Sequence, residues 1–153
     1  MGGPAPELEA LFQQLNSQFF DSALTPVPVV WNARLTSRLG RYLPVEGRIE
    51  ISPHLHREHG WGHVRDTVLH EMVHHRLNGS ATRPHGPEFK AEAKRVGLAS
   101  IHGPALQQGY RWLYVCPACH RQYPRRRRGV WSCGRCSRIY DPRFKLRLVR
   151  RLG

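Results

Sequence analysis

His70, Glu71 and His74 stand in the string His70-Glu71-Met72-Val73-His74. Residues four apart on a helix share one face, so the two imidazoles can hold one metal ion while the carboxylate beside them handles a proton, the arrangement of a zinc hydrolase. The spacing works only on a helix. Val64, Val68, Leu69, Met72, Val73 and Leu77 recur near a 3.6-residue period, which predicts a helix from about Trp61 to Leu77, closed by Asn78-Gly79.

An H-E-x-x-H string alone also arises by chance as two surface histidines and a helical glutamate, so a third ligand must decide. The metzincin pattern would put Gly at 77 and His at 80; the chain has Leu77 and Ser80, which excludes that subclass. His85 is the next candidate, in His85-Gly86-Pro87-Glu88-Phe89. A turn at Asn78-Gly79 and a loop to Pro84 leave enough chain to return His85 over the helix. Pro87 suits the first turn of a following helix, Glu88 its positive end, and Phe89, Ala93 and Val96 its apolar side. A carboxylate from Glu88 or Glu92 is the competing third ligand.

Cys116-x2-Cys119 and Cys133-x2-Cys136 form a second constellation. Two C-x-x-C turns offer four thiolates, the tetrahedral shell of a structural zinc. Disulfides are the plainer alternative, but no basic and then apolar leader opens the sequence, and an oxidising compartment is not expected. Cys116-Pro-Ala-Cys119-His120 also fits a c-type haem string, which would leave Cys133 and Cys136 unexplained.

Both motifs together, H-E-M-V-H with H-G-P-E-F and the two cysteine pairs downstream, resemble the SprT-like metalloprotease family, which includes the Spartan-like proteins. The similarity covers most of the chain. It implies His70, His74 and His85 as ligands of a catalytic zinc, Glu71 as general base, and a second, structural zinc on Cys116, Cys119, Cys133 and Cys136. It also implies DNA binding by the cysteine segment, with proteins held on or crosslinked to DNA as substrates, hence a role in DNA–protein crosslink repair. The reaction expected is peptide hydrolysis. Three protein ligands leave one position of the cation open to water, and Glu71 takes the water proton and passes it to the leaving amine.

Charge separates the two halves of the chain. Residues 1–100 hold 11 Lys+Arg and 10 Asp+Glu, a formal +1, and residues 101–153 hold 13 and one, a formal +12, which together give the chain's +13. So one-sided a field seeks a polyanion, although a solvated face is the ordinary reading of a charge run. Arg125, Arg126, Arg127 and Arg128 lie between the cysteine pairs, and Arg138, Arg143, Lys145, Arg147, Arg150 and Arg151 follow them. Tyr110, Trp112, Tyr114, Tyr123, Trp131 and Tyr140 are interleaved with these cations, a mixture suited to stacked bases and paired phosphates. Candidate nucleic-acid contacts are Trp112, Tyr123, Arg125, Arg126, Arg127, Arg128, Trp131, Arg138 and Lys145, toward DNA of single-stranded character. Tyr114 and Trp131, close to cysteines, should also build the local core.

The elements that must position these residues make an α+β protein. A zincin-like core of helices with a small antiparallel sheet spans residues 1–109, and a basic four-cysteine, zinc-ribbon-like module with its tail spans 110–153. Leu8, Leu11, Phe12, Leu15 and Phe19 predict an amphipathic helix from Pro6 to about Ala23. Residues 27–31 read as an edge strand, 35–43 and 48–52 as a hairpin, and 97–109 as a linker or lid. Of the remaining histidines, His63 sits at or before the start of the metal helix and His75 on its surface. His54 and His56 fall in a polar loop, His120 is a spare ligand, and His59 and His102 carry no distinct signal. With 40% hydrophobic residues in 153 and no membrane-length apolar run, the expectation is a soluble monomer of the cytoplasm, nucleoid or nucleus, not secreted. The function expected is a DNA-associated zinc metalloendopeptidase. The alternatives are a non-catalytic zinc-dependent DNA-binding or transcription-related module with a zincin-like fold, or a zinc hydrolase acting on another amide.

Overall fold

A computed structural model of the chain describes residues 5–78, 83–107 and 109–152. They fall into two compact units that meet in sequence between Leu106 and Gln107.

The first unit begins with helix α1, Pro6–Phe20. Pro6 enters at its first turn, where a missing N–H costs nothing, and Leu8, Phe12, Leu15 and Phe20 are buried along one side. Asp21 and Ser22, both with positive φ, stop it three residues before the expected end. Strands β1 (Val29–Trp31), β2 (Gly40–Leu43) and β3 (Arg48–Ile51) make a sheet in the order β1-β3-β2. β2 and β3 are the expected hairpin, with a shorter first strand. The sheet is mixed, however: β1 runs parallel to β3. The connection from β1 reaches β3 only by way of the hairpin, which reverses the chain before the pairing is made.

Helix α2, Pro53–His59, replaces the polar loop expected around His54 and His56. His54 is buried and donates from Nε2 to the Ala33 carbonyl at 3.0 Å. Gly60, at φ 82°, is the single joint between α2 and α3, Trp61–Arg76. Val64, Val68, Leu69, Met72 and Val73 of α3 are buried in the core with Leu8, Phe12, Ile49, Ile51 and Leu55. The helix closes at Leu77, whose φ is −91°; Gly79 and residues 80–82 of the expected loop lie outside the described residues. Helix α4, Pro87–Arg95, follows with Pro87 in its first turn and Phe89 and Ala93 buried. Arg76 and Arg95 both pair with Glu92, which ties α4 to the end of α3.

Two features lock β2 in place. Gly40 passes so close to α3 that a Cβ there would lie 2.9 Å from both Ile51 Cδ1 and Thr67 Cγ2. Glu50 of β3, 3% exposed, accepts from Asn32 Nδ2 at 2.9 Å, Arg41 Nε at 2.6 Å and Arg48 Nη2 at 2.8 Å.

The second unit is a three-stranded antiparallel sheet, β4 (Trp112–Val115), β5 (Gln122–Arg125) and β6 (Arg147–Arg151), in the order β5-β4-β6. Its small core joins Tyr114, Cys116, Cys133 and Leu146. No helix among the described residues is long and apolar enough to cross a membrane.

Burial pushes the Glu50 carboxyl up, but the hydrogen bonds from Asn32, Arg41 and Arg48 outweigh it and hold the group below its ordinary value. Its stabilisation is therefore complete above the ordinary glutamate value of about 4.3 and is lost as pH falls through the lower folded value. Glu50→Gln should cost about 1–3 kcal/mol at pH 7. It should also flatten the fall of Tm between about pH 5 and 3, measured by thermal denaturation.

Candidate functional site

The spacing of α3 puts His70 and His74 one turn apart, and the start of α4 brings His85 to both. His85 Nε2 lies 3.2 Å from His70 Nε2 and 3.1 Å from His74 Nε2. The three donor atoms fall within 4.8 Å of one another, a group able to hold a metal ion. A tetrahedral zinc at about 2.0–2.1 Å from each nitrogen would set them about 3.3 Å apart, so the arrangement fits. No carboxylate joins this group among the described residues, and Glu92 is engaged with Arg76 and Arg95.

Phe89 is the floor of the site. Its fully buried ring sits 4.8, 4.5 and 4.9 Å, centroid to centroid, from His70, His74 and His85. Sequence placed Phe89 on an apolar helix face but gave no sign that one ring would carry all three imidazoles. Burial first, then the charges of His74, His85 and His102, pushes His70 down to about 4. Burial and His85 do the same to His74, and burial and His102 lower His85. All three are thus neutral at pH 7, the form with a lone pair to offer a cation.

Glu71 is 7% exposed. Burial pushes its carboxyl up to about 7, against the opposing effects of the Tyr42 backbone N–H that it accepts and the charge of Arg38. Strand β2 therefore orients the carboxylate through its main chain. His75, expected on the surface, is turned away from this group and half-buried. Its Nε2 donates to the Thr25 carbonyl at 2.8 Å, which fixes the tautomer so that Nδ1 accepts from the Tyr42 hydroxyl at 3.2 Å. His63 lies in the first turn of α3, inside the helix, with its ring edge-on to His59.

The triad and Glu71 open into a cleft of about 1050 Å³. Residues 37–42 form one wall, and residues 99–104 of the segment expected to be a linker or lid form another.

In the second unit the four Sγ atoms also lie within 4.8 Å of one another. Cys116 and Cys136 are 3.8 Å apart and Cys119 and Cys133 3.6 Å, far beyond a disulfide bond and close to the spacing of about 3.8 Å that a tetrahedral zinc–thiolate shell requires. His120 is exposed and outside the group. The Tyr123 hydroxyl meets Cys133 Sγ at 3.0 Å. Burial pushes the Cys133 thiol up, but hydrogen bonds from Tyr123, from the backbone of Cys136 and Arg135, and from Cys119 bring it down to about 6.

The nine candidate nucleic-acid residues are placed as follows. Tyr123 belongs to the cysteine cluster through its hydroxyl. Trp131 packs edge-on to Tyr114 at 5.2 Å. Arg125 lies over the rings of Tyr123 and Trp131, each at 5.2 Å, and Arg126 lies over Tyr110 at 4.2 Å. Arg128 and Arg151 lie over Trp112 at 5.5 and 5.9 Å. Arg127, Arg138 and Lys145 are exposed.

A helix-borne histidine pair with an adjacent buried glutamate and a third histidine from the turn that leads into the next helix defines an H-E-x-x-H-type metal site. The chain belongs to the SprT-like family, whose model matches residues 8–108. Among curated relatives, "Protein SprT-like" of Streptococcus equi subsp. zooepidemicus (strain H70) is 34% identical over 114 residues, 69% of this chain and 77% of its own. The proteins of the same name from Streptococcus thermophilus (strain ATCC BAA-491 / LMD-9) and Streptococcus gordonii (strain Challis) are 34% and 33% identical, over 70% and 78% of this chain and 77% and 82% of theirs.

Metal analysis tests both groups. The purified protein should carry two zinc ions per chain, one for each group. His85→Ala should lose one and keep the other, and Cys133→Ser should show the converse, read as zinc per chain by mass spectrometry.

Proposed function

We propose that the protein is a zinc metalloendopeptidase acting on proteins bound or crosslinked to DNA. The observation that carries the reading is the meeting of three neutral imidazoles beside a buried Glu71 at the floor of an open cleft. A bound zinc ion supplies Lewis acidity, polarising a peptide carbonyl and acidifying water. His70, His74 and His85 hold that ion, with Phe89 fixing their planes. Glu71, oriented by the Tyr42 N–H, accepts a proton from water and returns it to the amine that leaves. Its position between carboxylate and carboxylic acid at neutral pH suits both halves of that exchange. Membership of the SprT-like family supports peptide bonds as the substrate.

DNA is the partner we assign to the second unit. The support is its one-sided charge and the ordering of its guanidiniums over rings, which leaves the cations preset for phosphates. A structural zinc on the four cysteines holds the sheet that displays them.

Wild-type protein should cleave a DNA-binding protein substrate faster with single-stranded DNA than without. Glu71→Gln should keep both zinc ions and the fold while kcat falls by at least about 10²-fold; a variant cutting at the wild-type rate would defeat the assignment. For the second unit, the slope of log K against log salt should shrink by about 0.7–0.9 for each phosphate contact removed when Arg125, Arg126, Arg127 and Arg128 are changed to Gln. A salt-independent affinity would remove DNA from the reading.

A further inference from the structure

Residues 99–104 reach the cleft as a strap pinned on both sides of His102. Ile101 packs on the core, and Leu106 is fully buried in it. A Cβ at Gly103 would fall only 2.1 Å from Leu39 Cδ1, so the strap lies directly against that side chain. His59 Nε2 donates to the Ala105 carbonyl at 3.1 Å, a further tie. His102 itself is exposed and lines the same cleft as His70 and His85, yet lies outside the group of three ligand nitrogens.

Several other polar side chains of the cleft have engagements of their own. The Tyr42 hydroxyl serves His75, the His63 ring meets His59, and the charge of Arg38 acts on Glu71. Among the described residues, the imidazole of His102 makes no hydrogen bond. Its backbone N–H alone is engaged, by Ser100 Oγ at 3.0 Å. An N–H donor thus lines the same cleft as the metal-ligand histidines, on a segment tied to the core at Ile101 and Leu106, as stabilising a developing charge requires: the donor must be in place before the charge appears.

We propose that His102 is a catalytic residue of this cleft, its imidazole N–H donating to the scissile carbonyl oxygen as that oxygen gains negative charge. The inference rests on the peptidase reading above. In the step concerned, water oxygen bonds to the carbonyl carbon and its proton passes to Glu71. The C–N bond then breaks, and Glu71 delivers the proton to the departing nitrogen. His102 keeps its own proton throughout and lends only a hydrogen bond, so a donor that cannot ionise replaces it in part.

The test uses the full chain loaded with zinc. His102→Ala should lower kcat about 10²–10³-fold with little change in KM and no loss of zinc, and His102→Gln, which keeps an N–H donor, should recover part of the loss. A second readout needs no turnover. A peptide with a phosphinate at the scissile position presents a tetrahedral anion, and the same peptide with its amide, bound to Glu71→Gln, presents the planar ground state. Calorimetry should show His102→Ala weakening the phosphinate at least tenfold and leaving the amide unaltered, a difference that a merely structural role would not produce. Wild-type turnover with unaltered kcat and phosphinate affinity in His102→Ala overturns the inference alone, as does a change confined to KM or a loss of zinc. Wild-type protein that neither cleaves nor distinguishes the two peptides overturns the peptidase reading along with it.

Discussion

Three imidazole nitrogens drawn together, those of His70 and His74 lying 3.2 and 3.1 Å from that of His85, are the constraint around which the first unit is organised. Neutral rings so placed crowd their lone pairs, and protonated rings would repel. Only a rigid surround keeps them together until a cation joins them. α3 supplies that surround by burying Val64, Val68, Leu69, Met72 and Val73 while His70 and His74 stay on its cleft side. α4 adds Phe89 beneath, and the Glu92 pairs with Arg76 and Arg95 fix α4 to the end of α3. A helix buried on one side and charged with metal chemistry on the other cannot rotate without losing either its core contacts or its ligands.

The same burial sets the electrostatics. Removing water from His70 and His74 favours their neutral forms, and removing it from Glu71 favours the carboxylic acid. For the imidazoles nothing opposes this, since the nearest charges are other histidines. For Glu71 the Tyr42 N–H and Arg38 pull the other way, and the group is poised near neutrality. One physical effect thus keeps the imidazoles neutral and sets the carboxyl between its two forms, the difference lying in which neighbours each group has. Strand β2 is indispensable here, because its main chain brings Tyr42 to Glu71 and its glycine at position 40 allows the approach.

How much of this was legible in the sequence follows from which interactions are local. The metal helix was readable because an i, i+4 pair and an apolar period both lie within one element. α4 was readable from Pro87 and its apolar side. His85 was not separable from Glu88 or Glu92 on the residues alone, because the choice depends on how the chain returns to α3, which no short-range preference encodes. α2 was missed because His54 and His56 look polar, whereas His54 is buried with its Nε2 satisfied by the Ala33 carbonyl. The parallel pairing of β1 with β3 is likewise a long-range fact. The roles of Phe89 and of the Tyr42 N–H were beyond reach for different reasons: a phenylalanine reads as core wherever it serves, and a main-chain donor has no letter.

The second unit poses the reverse problem, since its composition opposes its own folding. Thirteen cations and one acid lie beyond residue 100, and self-repulsion of that kind expands a chain with so small a core. The structure answers with contacts that accept positive charge without adding acids. Guanidiniums of Arg121, Arg125, Arg126, Arg128, Arg143 and Arg151 each lie over an aromatic ring, where the π face is attractive. The sole acid, Asp141, is doubly used, accepting from the backbone and the guanidinium of Arg143. Four thiols drawn into one cluster give the sheet a centre that the few apolar residues could not supply. Rings that at first suggest stacking platforms therefore also serve the fold, because each gives a guanidinium an attractive face in a unit with a single acid to pair with.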